Sequence, residues 1–137
     1  MSSQDRNAVL ERARRANVEA ILVTGTCIKS SRQAQELCEG TFHYPLYFTA
    51  GVHPHTAKTC NEKTIPELRR MASSPKCVAI GECGLDFNRN FSPPDVQVGS
   101  LAGAFRFQSC PADLKSTLEV PRYLIYDDID QVTPFYL

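Results

Sequence analysis

Residues 77–86 read Cys77-Val78-Ala79-Ile80-Gly81-Glu82-Cys83-Gly84-Leu85-Asp86: four apolar residues, a glycine, and then two acids separated by Cys-Gly-Leu. A short, unbroken apolar run that ends at glycine fits a strand buried on both faces, the pattern of a parallel sheet rather than of a half-exposed antiparallel one. Two upstream runs repeat it. Ala20-Ile21-Leu22-Val23-Thr24 stops at Gly25, and Leu46 to Ala50 stops at Gly51. The three runs recur at about 25 to 30 residues, a usual length for a strand plus a crossover helix.

The intervals between the runs are helical in pattern. Asp5 is placed to cap a helix with Val9, Leu10, Ala13 and Ala16 on its apolar side and Arg12, Arg14 and Arg15 outside. Ser30 or Ser31 opens a second helix, with Ala34, Leu37 and Cys38 on one face and Gly40 as the left-handed residue that closes it. Thr64 and Glu67 form a T-x-x-E capping box ahead of Leu68, Met71 and Ala72, and Pro66 falls in the first turn, where its missing N–H costs little. From about Gln97 the pattern weakens, because Gly99, Gly103 and Pro111 interrupt a helix through Leu101, Ala104, Phe105 and Phe107. A further strand is expected at Arg122 to Tyr126, led in by Pro121 and followed by the acidic Asp127-Asp128-Ile129-Asp130. The fold class is α/β with parallel strands. Its organisation is a domain over residues 1–97 and a divergent segment over 98–137.

With 137 residues the chain is sized for one domain. Its 42% hydrophobic and 22% charged residues exclude the disordered and membrane classes. Fifteen basic residues balance fifteen acidic ones, so a nucleic acid would have to be held by a local cluster or a metal rather than by a global positive field. None of the six cysteines, at 27, 38, 60, 77, 83 and 110, forms a C-x-x-C pair. They read as unpaired thiols of a reducing compartment. With a polar N-terminus and no long apolar stretch, the expected location is cytoplasmic, with the nucleus as the alternative, and no membrane partner is expected.

In parallel α/β sheets the reactive groups collect just past the C-terminal ends of the strands. Gly51-Val52-His53-Pro54-His55 follows the second run and Gly81-Glu82-Cys83-Gly84-Leu85-Asp86 the third, so two imidazoles and two carboxylates arrive at one rim. Carboxylates suit Mg²⁺, and an added imidazole also suits Zn²⁺. Glu82 between two glycines is the leading candidate, since glycine permits a sharp turn at the strand end. Plainer readings stand beside these. G-E-x-G is also a simple turn, His-Pro-His also a solvated loop, and Asp86 equally a helix cap or a partner for Arg89. His43, in a loop before a strand, reads as structural, and Cys83 is the one cysteine near the proposed site.

VAIGECGLDFNRNFSPPDVQ, residues 78–97, resembles the signature of the TatD family of metal-dependent deoxyribonucleases. TAGVHPHTAK, residues 49–58, resembles a second motif of that family, and ANVEAILVTGT, residues 16–26, its second strand. The resemblance covers residues 5–97. It implies a TIM (β/α)8 barrel, of which this chain carries roughly the second to fourth βα units. It also implies hydrolysis of phosphodiester bonds in DNA or RNA by a metal-activated water, often as a 3′-5′ exonuclease. The implied cofactor is a divalent metal, Mg²⁺ first, with Mn²⁺ or Zn²⁺ as alternatives. The implied partner is single-stranded or damaged DNA, or RNA, and no protein partner is indicated. Glu82 matches the family's metal-ligating glutamate; His53, His55, Asp86 and Arg89 match motif positions near the metal or phosphate.

The chain departs from the family pattern in three places. The first barrel strand, with its H-x-H motif, would precede residue 5. Where the family reads P-x-F-L-H, Pro121-Arg122-Tyr123-Leu124-Ile125 puts Ile125 at the histidine. The later strands, with a further histidine and the catalytic aspartate, would lie beyond the chain, so no catalytic residue is assigned. Closing such a barrel takes on the order of 200 residues, which leads to the expectation of a fragment, a splice product or a mis-spliced gene product with open sheet edges. Two other functions follow as alternatives: a non-catalytic binding or regulatory piece, and an amidohydrolase-like metal hydrolase acting on amides or lactones.

Overall fold

The structure, a computed structural model, describes residues 3–108. In chain order the elements are α1 (Ser3–Arg15), β1 (Ile21–Thr24), α2 (Ile28–Cys38), β2 (Leu46–Ala50), a 3-10 helix (Pro54–Thr59), α3 (Thr64–Ala72), β3 (Cys77–Ile80) and α4 (Pro94–Gln108). The strands form one parallel sheet in the order β1-β2-β3, with Ile21 opposite Leu46 and Ala50 opposite Ile80. Helix α2 packs on β1, β2 and α3, and α3 packs on β2, β3 and α4. Parallel strands taken in sequence, with successive helices neighbouring one another, make an arc of a βα barrel: the strand order never reverses.

Leu46, Phe48 and Ala50 alternate along β2 and so share one face, where they meet Ala34 and Cys38 of α2, Leu68 and Met71 of α3, and Cys77. Burial on both faces, expected of all three strands, holds for central β2 alone. In β1 half-buried Ile21 and Val23 alternate with exposed Leu22 and Thr24, because β1 is an outer strand among the described residues. Both β2 and β3 begin and end where the apolar runs do.

Helix boundaries are where local reading and structure part. Helix α1 starts before Asp5, which lies in its first turn, and Val9 is exposed while Leu10 packs on the core. The cap of α2 is Cys27, not a serine. Its sulfur accepts from the Ser30 N–H while the Ser30 hydroxyl accepts from the Cys27 N–H, a reciprocal box in which Ser30 holds the inner position. Gly40 has no positive φ; a Cβ there would lie 3.2 Å from Leu37 O and from the Phe42 ring, a tight contact. The Thr64–Glu67 box is not formed. The Thr64 hydroxyl accepts from the Asn61 N–H, and Glu67 turns outward to Arg32 and Arg70.

Helix α4 runs through Gly99 and Gly103 and crosses residue 97 without a break. At Gly103 a Cβ would lie 3.0 Å from Ile65 Cδ1, so this glycine serves close packing of α4 on α3, and that packing outweighs the poor helix propensity. The five described cysteines are free thiols. The expected strand 122–126, Ile125 and Cys110 lie outside the described residues. No helix among the described residues is long and apolar enough to cross a membrane.

Candidate functional site

The rim past the strands is laced together by backbone bonds. The Gly81 N–H donates to Ala50 O (3.0 Å), the Glu82 N–H to Gly25 O (3.1 Å) and the His53 N–H to Thr26 O (2.9 Å), so each loop is anchored on a neighbour. Gly51 makes this possible. A Cβ there would stand 2.3 Å from the Gly81 carbonyl carbon and 2.5 Å from Glu82 O, distances that real side chains do not reach. Buried Ser31 fixes the same residue from α2, its hydroxyl bonding both the N–H and the carbonyl of Gly51. The Gly81–Glu82 peptide is cis, and Gly84 has open space and no positive φ. The contact that requires glycine therefore falls on Gly51, opposite Glu82, and not on Gly84 beside it.

This lacing brings His53 and Glu82 together, with Nε2 3.3 Å from Oε1 and both side chains about four-fifths buried. The other ring nitrogen of His53, Nδ1, accepts the His55 backbone N–H at 3.1 Å. A backbone N–H only donates, so Nδ1 carries no proton in the neutral ring. The proton then sits on Nε2, aimed at the carboxylate. His53 is thus a hydrogen-bond donor to Glu82.

The second pair is His55 with Asp86. Nε2 of His55 lies 2.5 Å from Asp86 Oδ2, the oxygen that also receives Arg89 Nε at 2.9 Å. Oδ1 of Asp86 accepts the backbone N–H groups of Asn88 and Arg89. These bonds hold the Asp86 carboxyl down at about 2; the Arg89 N–H contributes most and His55 next, against the opposing effect of burial. The His53 and His55 rings meet edge to face at 4.3 Å, so the two pairs adjoin. Asp86 pairs with Arg89, one of its two expected roles, but the N–H groups it accepts belong to a turn at 87–89 and not to a helix.

Four of the five sequence candidates lie within these two contacting pairs, and Arg89 joins them through Asp86. His43 is exposed in the loop before β2, away from this rim. Cys83 lines a separate cavity of about 310 Å³ with Cys60, Ile65 and Leu68, and burial pushes its thiol up. Reading the sequence missed Ser92 and Gln97, both fully buried. Gln97 accepts the Asp86 N–H and donates to the carbonyls of Asp86 and Ser92; the Ser92 hydroxyl donates to His55 O. The available signal was a lone glutamine between Val96 and Leu101, in what proves to be a helix. Among the described residues no three or more His, Cys, Asp or Glu side chains converge as a metal-binding group. Glu82 therefore offers one carboxylate, beside a His53 ring with both nitrogens engaged, and not a full coordination shell.

A parallel βα arc whose C-terminal rim carries paired carboxylates and imidazoles belongs to the class of barrel proteins with a polar mouth. The chain belongs to the TatD related DNase family, whose model matches residues 1–107. It is 53% identical over 93 residues to a protein of Musicola paradisiaca named 3′-5′ ssDNA/RNA exonuclease TatD, covering 68% of this chain and 35% of that one. Another protein of the same name, from Erwinia tasmaniensis, is 47% identical over 122 residues, or 89% of this chain and 44% of its own length. The chain thus spans between a third and a half of these relatives. Among solved structures, a TatD homologue from Escherichia coli K12 superposes with a TM-score of 0.64 at 29% identity, covering 76% of this chain and 40% of that one. An uncharacterized amidohydrolase of Saccharomyces cerevisiae gives 0.66 at 27% identity, covering 82% and 39%.

Proposed function

We propose that this chain contributes the Glu82 rim of a metal-dependent nuclease that hydrolyses phosphodiester bonds of single-stranded DNA or RNA from the 3′ end. The observation that carries this reading is the Glu82 carboxylate held 3.3 Å from the His53 imidazole across adjacent strand ends, in a chain of the TatD related DNase family. A hard cation that keeps several of its waters asks for only one or two protein carboxylates, and Glu82 meets that demand, which favours Mg²⁺ with Mn²⁺ as substitute. When bound, the cation supplies charge neutralisation at the phosphoryl oxygens and a more acidic water.

The chain's own residues have distinct parts. Glu82 holds the cation through its carboxylate. His53 donates Nε2–H to the same group and fixes its rotamer, the role a hydrogen-bonding neighbour plays beside a metal ligand. Asp86 keeps His55 and Arg89 in place, and Arg89, with half its side chain exposed, offers a guanidinium to a phosphate.

The test is shortening of end-labelled single-stranded DNA by the purified chain with Mg²⁺ or Mn²⁺, read beside Glu82→Gln. Loss of activity in Glu82→Gln supports the assignment, and equal activity in the variant refutes it. A second reading, a non-catalytic binding piece, is favoured by the outer strands β1 and β3 among the described residues. Light scattering that finds an inactive oligomer selects it. Cleavage of amides or lactones without cleavage of DNA selects a hydrolase of the third kind.

A further inference from the structure

The turn that follows the site is built to display aromatic rings. Asp86 accepts the N–H groups of Asn88 and Arg89, Asn90 adopts a left-handed φ of 49°, and its side-chain Nδ2 donates to Phe87 O at 2.8 Å. The backbone of residues 86–90 is therefore fixed by its own bonds. On this fixed turn Phe87 and Phe91 are 52% and 57% exposed, although rings of this size are ordinarily driven into a core. Phe91 stands edge to face with His55, centroids 4.7 Å apart, which ties it to the Asp86–His55 pair.

Two cationic side chains accompany the rings, one of them paired with Asp86. Arg89 lies between them in sequence; its Nε engages Asp86 and its side chain stays 51% exposed. Exposed Lys58 is brought to the same turn, its backbone N–H donating to the Ser92 hydroxyl. Exposed rings interleaved with cations suit a ligand with flat faces and a polyanionic backbone.

We infer that the turn Phe87–Phe91 is a stacking platform for the bases of a single nucleic-acid strand, with Arg89 and Lys58 along its phosphates, leading the strand to the Glu82 rim. The inference rests on the nuclease reading and adds to it how the strand is gripped. Stacking is indifferent to base identity, since every base has a π-face, so the grip is independent of sequence. It acts on unpaired bases, so duplex ends are poor ligands until they fray.

The experiment is fluorescence anisotropy in EDTA, which stops hydrolysis. It uses the full chain with a labelled oligothymidylate of about a dozen nucleotides and an abasic strand of the same length and charge. The wild-type chain is expected to bind the base-bearing strand about tenfold more tightly than the abasic one. Phe91→Ala and Phe87→Ala each remove most of that preference and leave abasic binding unchanged. Phe91→Tyr, which keeps the ring, retains it. Arg89→Gln weakens both strands alike and lowers the salt dependence. Equal binding of the two strands by the wild-type chain, or alanine variants that keep the preference, overturns the platform and leaves the nuclease reading standing. No binding of either strand overturns both. Self-association lost in Phe91→Ala, with oligonucleotide affinity unchanged, assigns the surface to a second copy of the chain and overturns the inference.

Discussion

Replacing Gly51 by alanine probes the contact on which the rim depends. The added methyl would start 2.3 Å from the Gly81 carbonyl carbon, 2.5 Å from Glu82 O and 2.6 Å from Gly81 O. All three are backbone atoms, so no side-chain rotation relieves the clash. Restoring even a 3.0 Å contact requires the β2 and β3 ends to separate by about 0.7 Å, and an ordinary van der Waals contact requires more than 1 Å. That movement stretches the 3.0 Å bond from Gly81 N–H to Ala50 O and draws Glu82 away from His53. Overpacking of this kind costs about 1 to 3 kcal/mol. At about 4 to 8 °C per kcal/mol for a domain of roughly 100 residues, a loss of 2 kcal/mol lowers Tm by about 10 °C. Gly84→Ala, three residues along the same motif as Gly81, meets nothing within 4 Å and requires no unusual φ. It is expected to be neutral, or stabilising by about 0.4 to 1 kcal/mol through the unfolded chain. Thermal unfolding followed by circular dichroism compares the two variants directly. A Gly51→Ala variant that melts with the wild type, or a Gly84→Ala variant that loses as much, would refute the reasoning.

Other expectations follow from the same bonds. The Asp86 carboxyl is depressed from 3.8 to about 2, so the stability it confers is complete above pH 4 and drains away as pH falls from about 4 to 2; Asp86→Asn should flatten that part of an acid unfolding curve, and an unchanged slope counts against the Arg89 and His55 bonds. Gln97→Ala strands the Asp86 N–H and two carbonyls in a buried site, and a loss of about 2 to 4 kcal/mol is expected in urea unfolding; less than 1 kcal/mol would mean that water replaces the amide. His53→Asn keeps an acceptor for the His55 N–H but loses the reach to Glu82, so Mn²⁺ affinity by calorimetry should fall about tenfold with Tm little changed. Gly99→Ala puts a better helix former at a position with no neighbour within 4 Å and should raise stability by about 1 kcal/mol; a lower Tm would show that α4 needs this glycine.

Much of the arc is legible from the chain alone. The runs at 21–24, 46–50 and 77–80 locate three parallel strands because burial of a strand is written in consecutive β-branched and apolar residues. The glycine and polar residues that follow mark the rim, and Glu82, His53, His55 and Asp86 are found there because strand ends are where side chains escape the core. Capping was read less well. Cys27 in place of serine, and Thr64 bonded to Asn61 instead of capping its own helix, are choices among near-equal local hydrogen bonds that tertiary packing settles.

The sequence by itself determined the alternation of strand and helix and the chemistry delivered to one end of the sheet, because both depend on neighbours within a few residues. Only the tertiary structure decided that His53 takes Glu82 while His55 takes Asp86, partners 29 and 31 residues apart. Strand register sets that choice, and a shift between Phe48 and Thr49 against β3 is invisible to local pattern. Tertiary packing likewise made Gly51 obligatory, set Gly103 of α4 close against Ile65 and gave Gln97 its three bonds. Most of these are contacts between segments distant in the chain, where close packing and the satisfaction of buried polar groups outweigh what any residue prefers alone.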